Sequence, residues 1–287
     1  MKTSSILLGA FLAFSLSGFA GNEPLLKNKG QLDLNYQFTK FNSVFDNDGE
    51  LKPIPEIHFS SVNVNARYGI TDRFTANLYA PVYCSASNAE NSDLKITESK
   101  SQSGVGDIAV GVNYAFAKQN KIQSVVSFYQ NLGTGSNNAS GLNTGFGDYA
   151  NSVYFDLFYE VNSHLMINGN VGYQNRKKNF KNDFLGNIFI NYSKEDKYEF
   201  SIFMKGKLPF SELTNKENVV NYGLFKNSEG FFRYGAMASA YFRKNMSLTA
   251  TYENYIKGQF IGNGPIISAG IRVDLSKNES TEEVTKE

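Results

Sequence analysis

The chain has 287 residues, with 28 Lys and Arg against 27 Asp and Glu, 24 Phe, 17 Tyr and no Trp. Charge this balanced argues against a nucleic-acid partner. The single cysteine, Cys84, excludes an intramolecular disulfide and leaves a metal site without a thiol partner.

The first twenty residues, MKTSSILLGAFLAFSLSGFA, carry Lys2, an apolar run from Ile6 to Phe14, and the small residues Gly18 and Ala20. This pattern reads as a secretory signal peptide over residues 1–20, cleaved after Ala20. The run is short for the ~20 residues of a membrane helix. No later apolar run reaches that length, so any membrane structure in the rest of the chain is expected to be built from strands.

From residue 30 onward the dominant signal is period two, the mark of a strand with one apolar face. Leu32, Leu34, Tyr36 and Phe38 alternate with Asp33, Asn35, Gln37 and Thr39, and Val62, Val64, Ala66, Tyr68 and Ile70 with Ser61, Asn63, Asn65 and Arg67. A third strand carries Phe74, Ala76, Leu78, Ala80 and Val82. A fourth, SGVGDIAVGVNYAF (103–116), sets Ile108, Val110, Val112, Tyr114 and Phe116 against Asp107, Asn113 and small residues. A weaker fifth runs from about Ile122 to Leu132. The sixth to ninth are marked by Val153–Val161, Leu165–Tyr173, Ile188–Tyr192 and Tyr198–Leu208. The last three are marked by Phe232–Phe242, Leu248–Ile256 and Ile267–Leu275.

The connections alternate in length. TDR (71–73), AKQNK (117–121), NSH (162–164), KEDK (194–197) and KNM (244–246) are short. Asn42–Pro55, Cys84–Ser103, Gly133–Gly147, Asn175–Asp183, Pro209–Gly230 and Gly258–Gly264 are long and rich in Gly, Ser, Asn and Lys. Alternating short turns and long loops between strands of ~10 residues are the pattern of an outer-membrane barrel. The expected fold is therefore all-β: an antiparallel up-and-down transmembrane β-barrel of about twelve strands, with short periplasmic turns and long extracellular loops. It would span residues 21–275, followed by a polar periplasmic tail, 276–287. A secreted β-sandwich would also alternate, but it seldom needs twelve strands of this length. Aromatic residues near strand ends, among them Tyr36, Phe38, Tyr114, Phe116, Tyr173, Tyr192, Tyr198 and Phe242, suit interfacial girdles. The prolines are expected in loops, at strand starts or, for Pro81, near an outer rim.

The hairpin YGITDRFTANLYAPVY (68–83), the polar loop after it and the strand with Gly104, Gly106, Asp107, Gly111 and Tyr114 resemble the transporter-like family named for the meta-pathway of phenol degradation. LGTGS (132–136) and the stretch 147–174 extend the resemblance. It implies an outer-membrane barrel, hydrophobic small molecules as cargo and no catalytic residues. Read physically, Gly104, Gly106 and Asp107 form a strand-start device, with glycine allowing a sharp turn and Asp accepting backbone N–H bonds.

If the apolar faces meet lipid, the lumen receives Asp33, Arg67, Asp107, Asp156, Glu160, Glu199, Lys205, Lys207, Arg233, Arg243, Glu253, Lys257, Arg272 and Asp274. These are the candidate pore-lining residues, either as an ion-pair network that fills the barrel or as the wall of a wet pore. The functional expectation is a passive channel or transporter for small, hydrophobic or aromatic solutes. The expected partners are outer-membrane lipid, an unidentified solute and the barrel-assembly machinery, without cofactor or metal. A structural or adhesive barrel is the alternative. An outer-membrane lipid hydrolase is a further one, because His58 and Ser60 in EIHFSSVN share a face as a base and nucleophile would. No orienting acid or calcium cluster follows them.

Overall fold

A computed structural model describes residues 23–46, 48–87, 100–135, 149–176, 182–194, 197–210, 221–222, 225–226, 230–259 and 261–276. The expected signal peptide and almost all of the polar tail lie outside the described residues.

Twelve antiparallel strands close into a barrel. They are β1 (Lys29–Phe45), β2 (Leu51–Gly69), β3 (Phe74–Ser87), β4 in two pieces (Lys100–Val105 and Ala109–Gln119), β5 (Ile122–Leu132) and β6 (Tyr149–Asn162). Then follow β7 (Leu165–Arg176), β8 (Asp183–Lys194), β9 (Tyr198–Pro209), β10 (Gly230–Arg243), β11 (Met246–Gln259) and β12 (Ile266–Ser276). Each strand pairs with the next. The seam is closed by β1 against β12, in register from Lys29↔Ser276 to Thr39↔Ile266. Closure leaves no ladder edge exposed to lipid, which is what a membrane demands of a sheet.

The alternation sorts side chains as expected. Leu32, Leu34, Tyr36, Val110, Val112, Phe155, Leu157, Ile188, Ile202, Met204 and Leu248 are all exposed on the outer surface. Asp33, Asn63, Asn65, Thr75, Asn113, Ser127, Asp156, Ser201 and Ser247 are buried on the inner one. This inversion of the soluble pattern is stable only where the outer solvent is apolar. Outer-face aromatics gather at both ends. Phe74–Tyr114 (4.6 Å between ring centroids), Phe116–Phe155 (5.9 Å) and Tyr192–Tyr198 (6.2 Å) lie toward the short turns. Tyr173, Phe184 and Phe210 cluster within 6.1 Å toward the long loops.

Three details depart from the sequence reading. The first expected loop, Asn42–Pro55, is mostly strand. β1 and β2 stay paired to Phe45↔Leu51, and the turn is only a few residues around Gly49. Pro53 and Pro55 lie within β2, with Pro53 opposite Ser43 of β1. Pro81 lies within β3, opposite Asn63, beside the break in β4. Gly106 and Asp107 sit in that break and not at a strand start. Gly106 N–H donates to Pro81 O (2.8 Å), and the Asp107 carboxylate accepts from Gly135 N–H (2.8 Å). The motif thus staples the kinked wall to the loop after β5.

Candidate functional site

The inner wall divides into two arcs. From β9 through β12 to β2 it carries charge. Lys205 (β9) donates to Glu253 (β11) at 2.9 Å, and Arg233 on the strand between lies 3.0 Å from the other oxygen of the same carboxylate. Lys205 and Arg233 are 4% and 2% exposed, so both cations need this partnership. Each also sits over a ring, Lys205 4.4 Å from Phe203 and Arg233 4.8 Å from Phe231.

At the seam Arg272 stands opposite Asp33 in the ladder and donates to it through Nε at 2.8 Å. Its Nη1 reaches Glu199 of β9 at 3.1 Å, and Tyr241 O–H donates to the second oxygen of Glu199 at 2.9 Å. Arg272 therefore spans the inner face from the seam past β11 and β10. Arg67 of β2 donates to Gln31 (3.1 Å) and Asn77 (3.3 Å).

From β3 to β8 the wall is mostly neutral. Asn77 donates to Asn113 (3.0 Å), Asn187 to Asn170 (2.8 Å) and Asn191 to Asn168 (2.5 Å), and Ser201 of β9 donates to Asn191 (2.7 Å). Tyr79 O–H donates to Asn63 and Tyr129 O–H to Asn113, both at 3.0 Å. Among the described residues the buried acidic groups of this arc are Asp156 and Asp183. Asp156 accepts from Ser127 (2.7 Å). Asp183 faces Lys207 (3.3 Å) and Arg176 (3.7 Å) toward the long loops.

Inward rings in this arc lie over glycines of the paired strand. Tyr129 covers Gly111 and Tyr154 covers Gly172, so that a Cβ on either glycine would run into the ring. Gly106 receives the Tyr83 ring in the same way. The rings lie against the wall where glycine makes room, a cross-strand device that stiffens a glycine-bearing strand. Of the motif residues, Gly106 and Gly111 thus serve packing, Gly104 pairs with Tyr83, and Tyr114 stacks on Phe74 on the outer face.

Among the described residues, two cavities lie along the interior. One of about 420 Å³ at the short-turn end is lined by Glu23, Lys118, Lys121, Glu160, Glu199 and Arg272 among others. The other, of about 100 Å³, is lined by Asp33, Asn63, Asn65, Lys205, Glu253 and Arg272 among others. They share only Arg272 and Met237. Toward the long loops, inward Phe41, Phe45, Phe59, Phe231, Tyr255, Ile261 and Ile266 form an apolar cluster.

Of the charged residues assigned to the lumen, Asp33, Arg67, Asp156, Lys205, Lys207, Arg233 and Glu253 are buried on the inner face. Arg272 lines both cavities, and Glu199 lines the larger one. Glu160 is exposed and lines the larger cavity near its mouth. Arg243 is not in the lumen. It is exposed at the short-turn end, where the register shifts between Tyr241 and Arg243. Lys257 is likewise turned outward. A bulge opposite Phe232/Arg233 inserts Ile256, so Lys257 pairs with outward Phe232. Sequence parity cannot register such an inserted residue. His58 and Ser60 are half-buried. His58 Nε2 lies 2.7 Å from Glu56, which also pairs with Lys40 at 2.6 Å, and its ring is 6.0 Å from outward Phe38. His58 is thus engaged in a group at the long-loop rim. Among the described residues no group of His, Cys, Asp and Glu could hold a metal ion.

A closed antiparallel barrel with an apolar outer face and a polar, hydrogen-bonded interior is a transmembrane barrel of the outer-membrane type. Residues 56–259 match the family described as "Putative MetA-pathway of phenol degradation", and the chain belongs to that family.

The fold is similar to that of a COG4313 outer membrane channel from Pseudomonas putida F1, with TM-score 0.71 and 14% identity over 89% of this chain and 98% of that one. It is also similar to the NanC porin (TM-score 0.55, 10% identity, 85% and 100% covered). A third likeness is to the translocator domain of the autotransporter NalP from Neisseria meningitidis (TM-score 0.50, 11% identity, 91% and 92% covered). No curated protein matches the chain in sequence.

Proposed function

We propose that the protein is an outer-membrane channel through which small solutes diffuse, with the long loops outside the cell and the short turns in the periplasm. The observation that carries this reading is the pair of cavities lined by polar side chains along the barrel, which share Arg272 and Met237. A barrel built only as a scaffold gains nothing from buried charge, since apolar filling of equal volume is as stable or more so. The ion pairs instead give a wall that can exchange hydrogen bonds with a passing solute. Twelve strands lie between the eight that side chains fill and the sixteen or more that leave an open channel, so a narrow conduit fits.

Cations and carboxylates are interleaved on the charged arc, which favours weak ion selectivity. The family's link with phenol breakdown makes small aromatic solutes the first cargo to try. The amide and tyrosine arc suits those that carry a hydroxyl group. Delivery to the outer membrane would use the signal peptide cleaved after Ala20 and the barrel-assembly machinery; mass measurement of the purified protein checks the cleavage.

Single-channel recording of the refolded protein in a planar bilayer tests the reading. Discrete conductance steps are expected, with a lower cation preference in Glu199→Gln. Silence from a folded, heat-modifiable barrel would leave the structural or adhesive reading in its place.

A further inference from the structure

The short-turn rim carries cations in two settings. Lys118 and Lys121, at the hairpin of β4 and β5, line the larger cavity. On the β8-to-β11 side the cations are placed differently. Lys194 ends β8 opposite Tyr198 and shares the outer face with Tyr192, which stacks on Tyr198 at 6.2 Å. Arg243 ends β10 opposite Met246, whose neighbour Ser247 is buried on the inner face, so Arg243 is on the outer one. Lys197 and Lys244 stand in the two turns, and all four cations are exposed. The turns are joined through the backbone: Lys197 N–H donates to Lys194 O, and Tyr241 N–H donates to Lys197 O, both at 2.9 Å.

These cations lack the partners that cations have elsewhere in the barrel. At the opposite rim Lys40 lies 2.6 Å from Glu56, and Lys52 lies 2.7 Å from Glu50. In the lumen Lys205 and Arg233 share Glu253. None of Lys194, Lys197, Arg243 and Lys244 forms an ion pair with another described residue. The turn sequence KEDK adds Glu195 and Asp196, which lie outside the described residues, so four cations stand against two acids.

Their position is that of lipid headgroups. Tyr192, Tyr198 and Phe242, all exposed, mark the membrane interface on this side. Lys194 is two residues past Tyr192, ~7 Å further along the strand. On the other side of these aromatics the outer face continues through exposed Phe200, Ile202 and Leu248. Positive charge and a lipid-facing apolar surface therefore adjoin, which suits a molecule that is anionic at one end and apolar at the other.

We propose that Lys194, Lys197, Arg243 and Lys244 form a binding site for an anionic glycerophospholipid, with the phosphate among the four cations and the acyl chains on the outer face of β9 to β11. The site holds a lipid at the rim and does not depend on whether the barrel conducts. With the short turns in the periplasm, as proposed above, the lipid belongs to the periplasmic leaflet.

Native mass spectrometry of the refolded barrel, released from detergent micelles, tests the site. The probes are phosphatidylglycerol and phosphatidylcholine with matched acyl chains. The native chain should retain phosphatidylglycerol in preference to phosphatidylcholine. Each cation removed should weaken phosphatidylglycerol binding by about fivefold, so Arg243→Gln with Lys244→Gln should show a large loss, whereas Arg243→Lys with Lys244→Arg should keep the binding. Lys194→Gln with Lys197→Gln, on the other turn, should act in the same direction, which keeps the site testable if one pair of changes impairs folding. Lys40→Gln with Lys52→Gln removes as much charge from the opposite rim and should leave binding unchanged within error. Heat-modifiable mobility checks that each variant is folded. Equal retention of the two lipids, or an equal loss from changes at either rim, overturns the proposal. Displacement of phosphatidylglycerol by an equal concentration of inorganic phosphate or polyphosphate also overturns it and assigns the cluster to a soluble anion.

Discussion

The two arcs of the inner wall solve one problem differently. Both must face inward with polar groups while holding twelve strands in a circle. The β9-to-β2 arc uses full charges, joined into the Lys205–Glu253–Arg233 and Asp33–Arg272–Glu199 groups. The β3-to-β8 arc uses amides, hydroxyls and rings laid over glycine. The charged arc includes Arg272, which runs along the inner face and lines both cavities, and the neutral arc lays its rings against the wall over glycine.

The largest way to break this contrast is at Arg272. Arg272→Ala leaves Asp33 and Glu199 facing the interior without their shared cation, and removing one partner of a buried pair costs about 3–5 kcal/mol. Denaturant unfolding in micelles should show the loss, and Asp33→Asn added to Arg272→Ala should recover part of it. In the neutral arc the effect is steric. Gly172→Ala forces the Tyr154 ring off the wall and should cost about 1–3 kcal/mol. Because that ring is what the new methyl meets, the same change in a Tyr154→Ala background should cost little. A double-mutant cycle measures the coupling, and an equal cost in both backgrounds would show that the ring is not the obstacle.

Outside both arcs, Lys40→Ala removes an exposed pair with Glu56 and should leave the denaturant midpoint unchanged within error, because water screens such a pair. The smallest effect is expected in the turn between β1 and β2. Asp46 accepts backbone N–H bonds from Glu50 and Asp48, both at 2.9 Å. The Glu50 bond is foremost in holding its carboxyl below the ordinary carboxylate range. The folded form therefore prefers the ionised carboxylate. Its contribution is complete above the ordinary value and is lost as pH falls through the lowered one. Amide exchange at Glu50 should quicken at that acid limit, and in Asp46→Asn the added sensitivity should vanish.

The outer face was legible because lipid imposes one simple rule, apolar at every second residue, on strand after strand. Leu32, Val110, Ile202 and Leu248 all obey it. The strand count and the positions of TDR and KNM as turns followed from the same rule. The inner face was legible only as composition. That Arg272 would meet both Asp33 and Glu199 depends on closure of the seam and on side-chain reach, neither of which leaves a mark in linear order. The loop reading of Asn42–Pro55 failed because proline and polar residues resemble a loop in linear order, while the pairing of β1 with β2 continues through them to Phe45↔Leu51. Lys257 failed because one bulge reverses every parity argument beyond it. That Gly111 and Gly172 make room for the Tyr129 and Tyr154 rings became visible only once their partners across the ladder were known.

Arg272 has a further consequence under the proposed channel function. It pairs with Asp33 across the seam where the last strand meets the first, and it lines both cavities. Under that proposal the conduit and the closure of the barrel share one residue: a change that widens the interior at Arg272 also removes a seam ion pair, whereas a ring or an amide of the neutral arc can be exchanged without touching the seam.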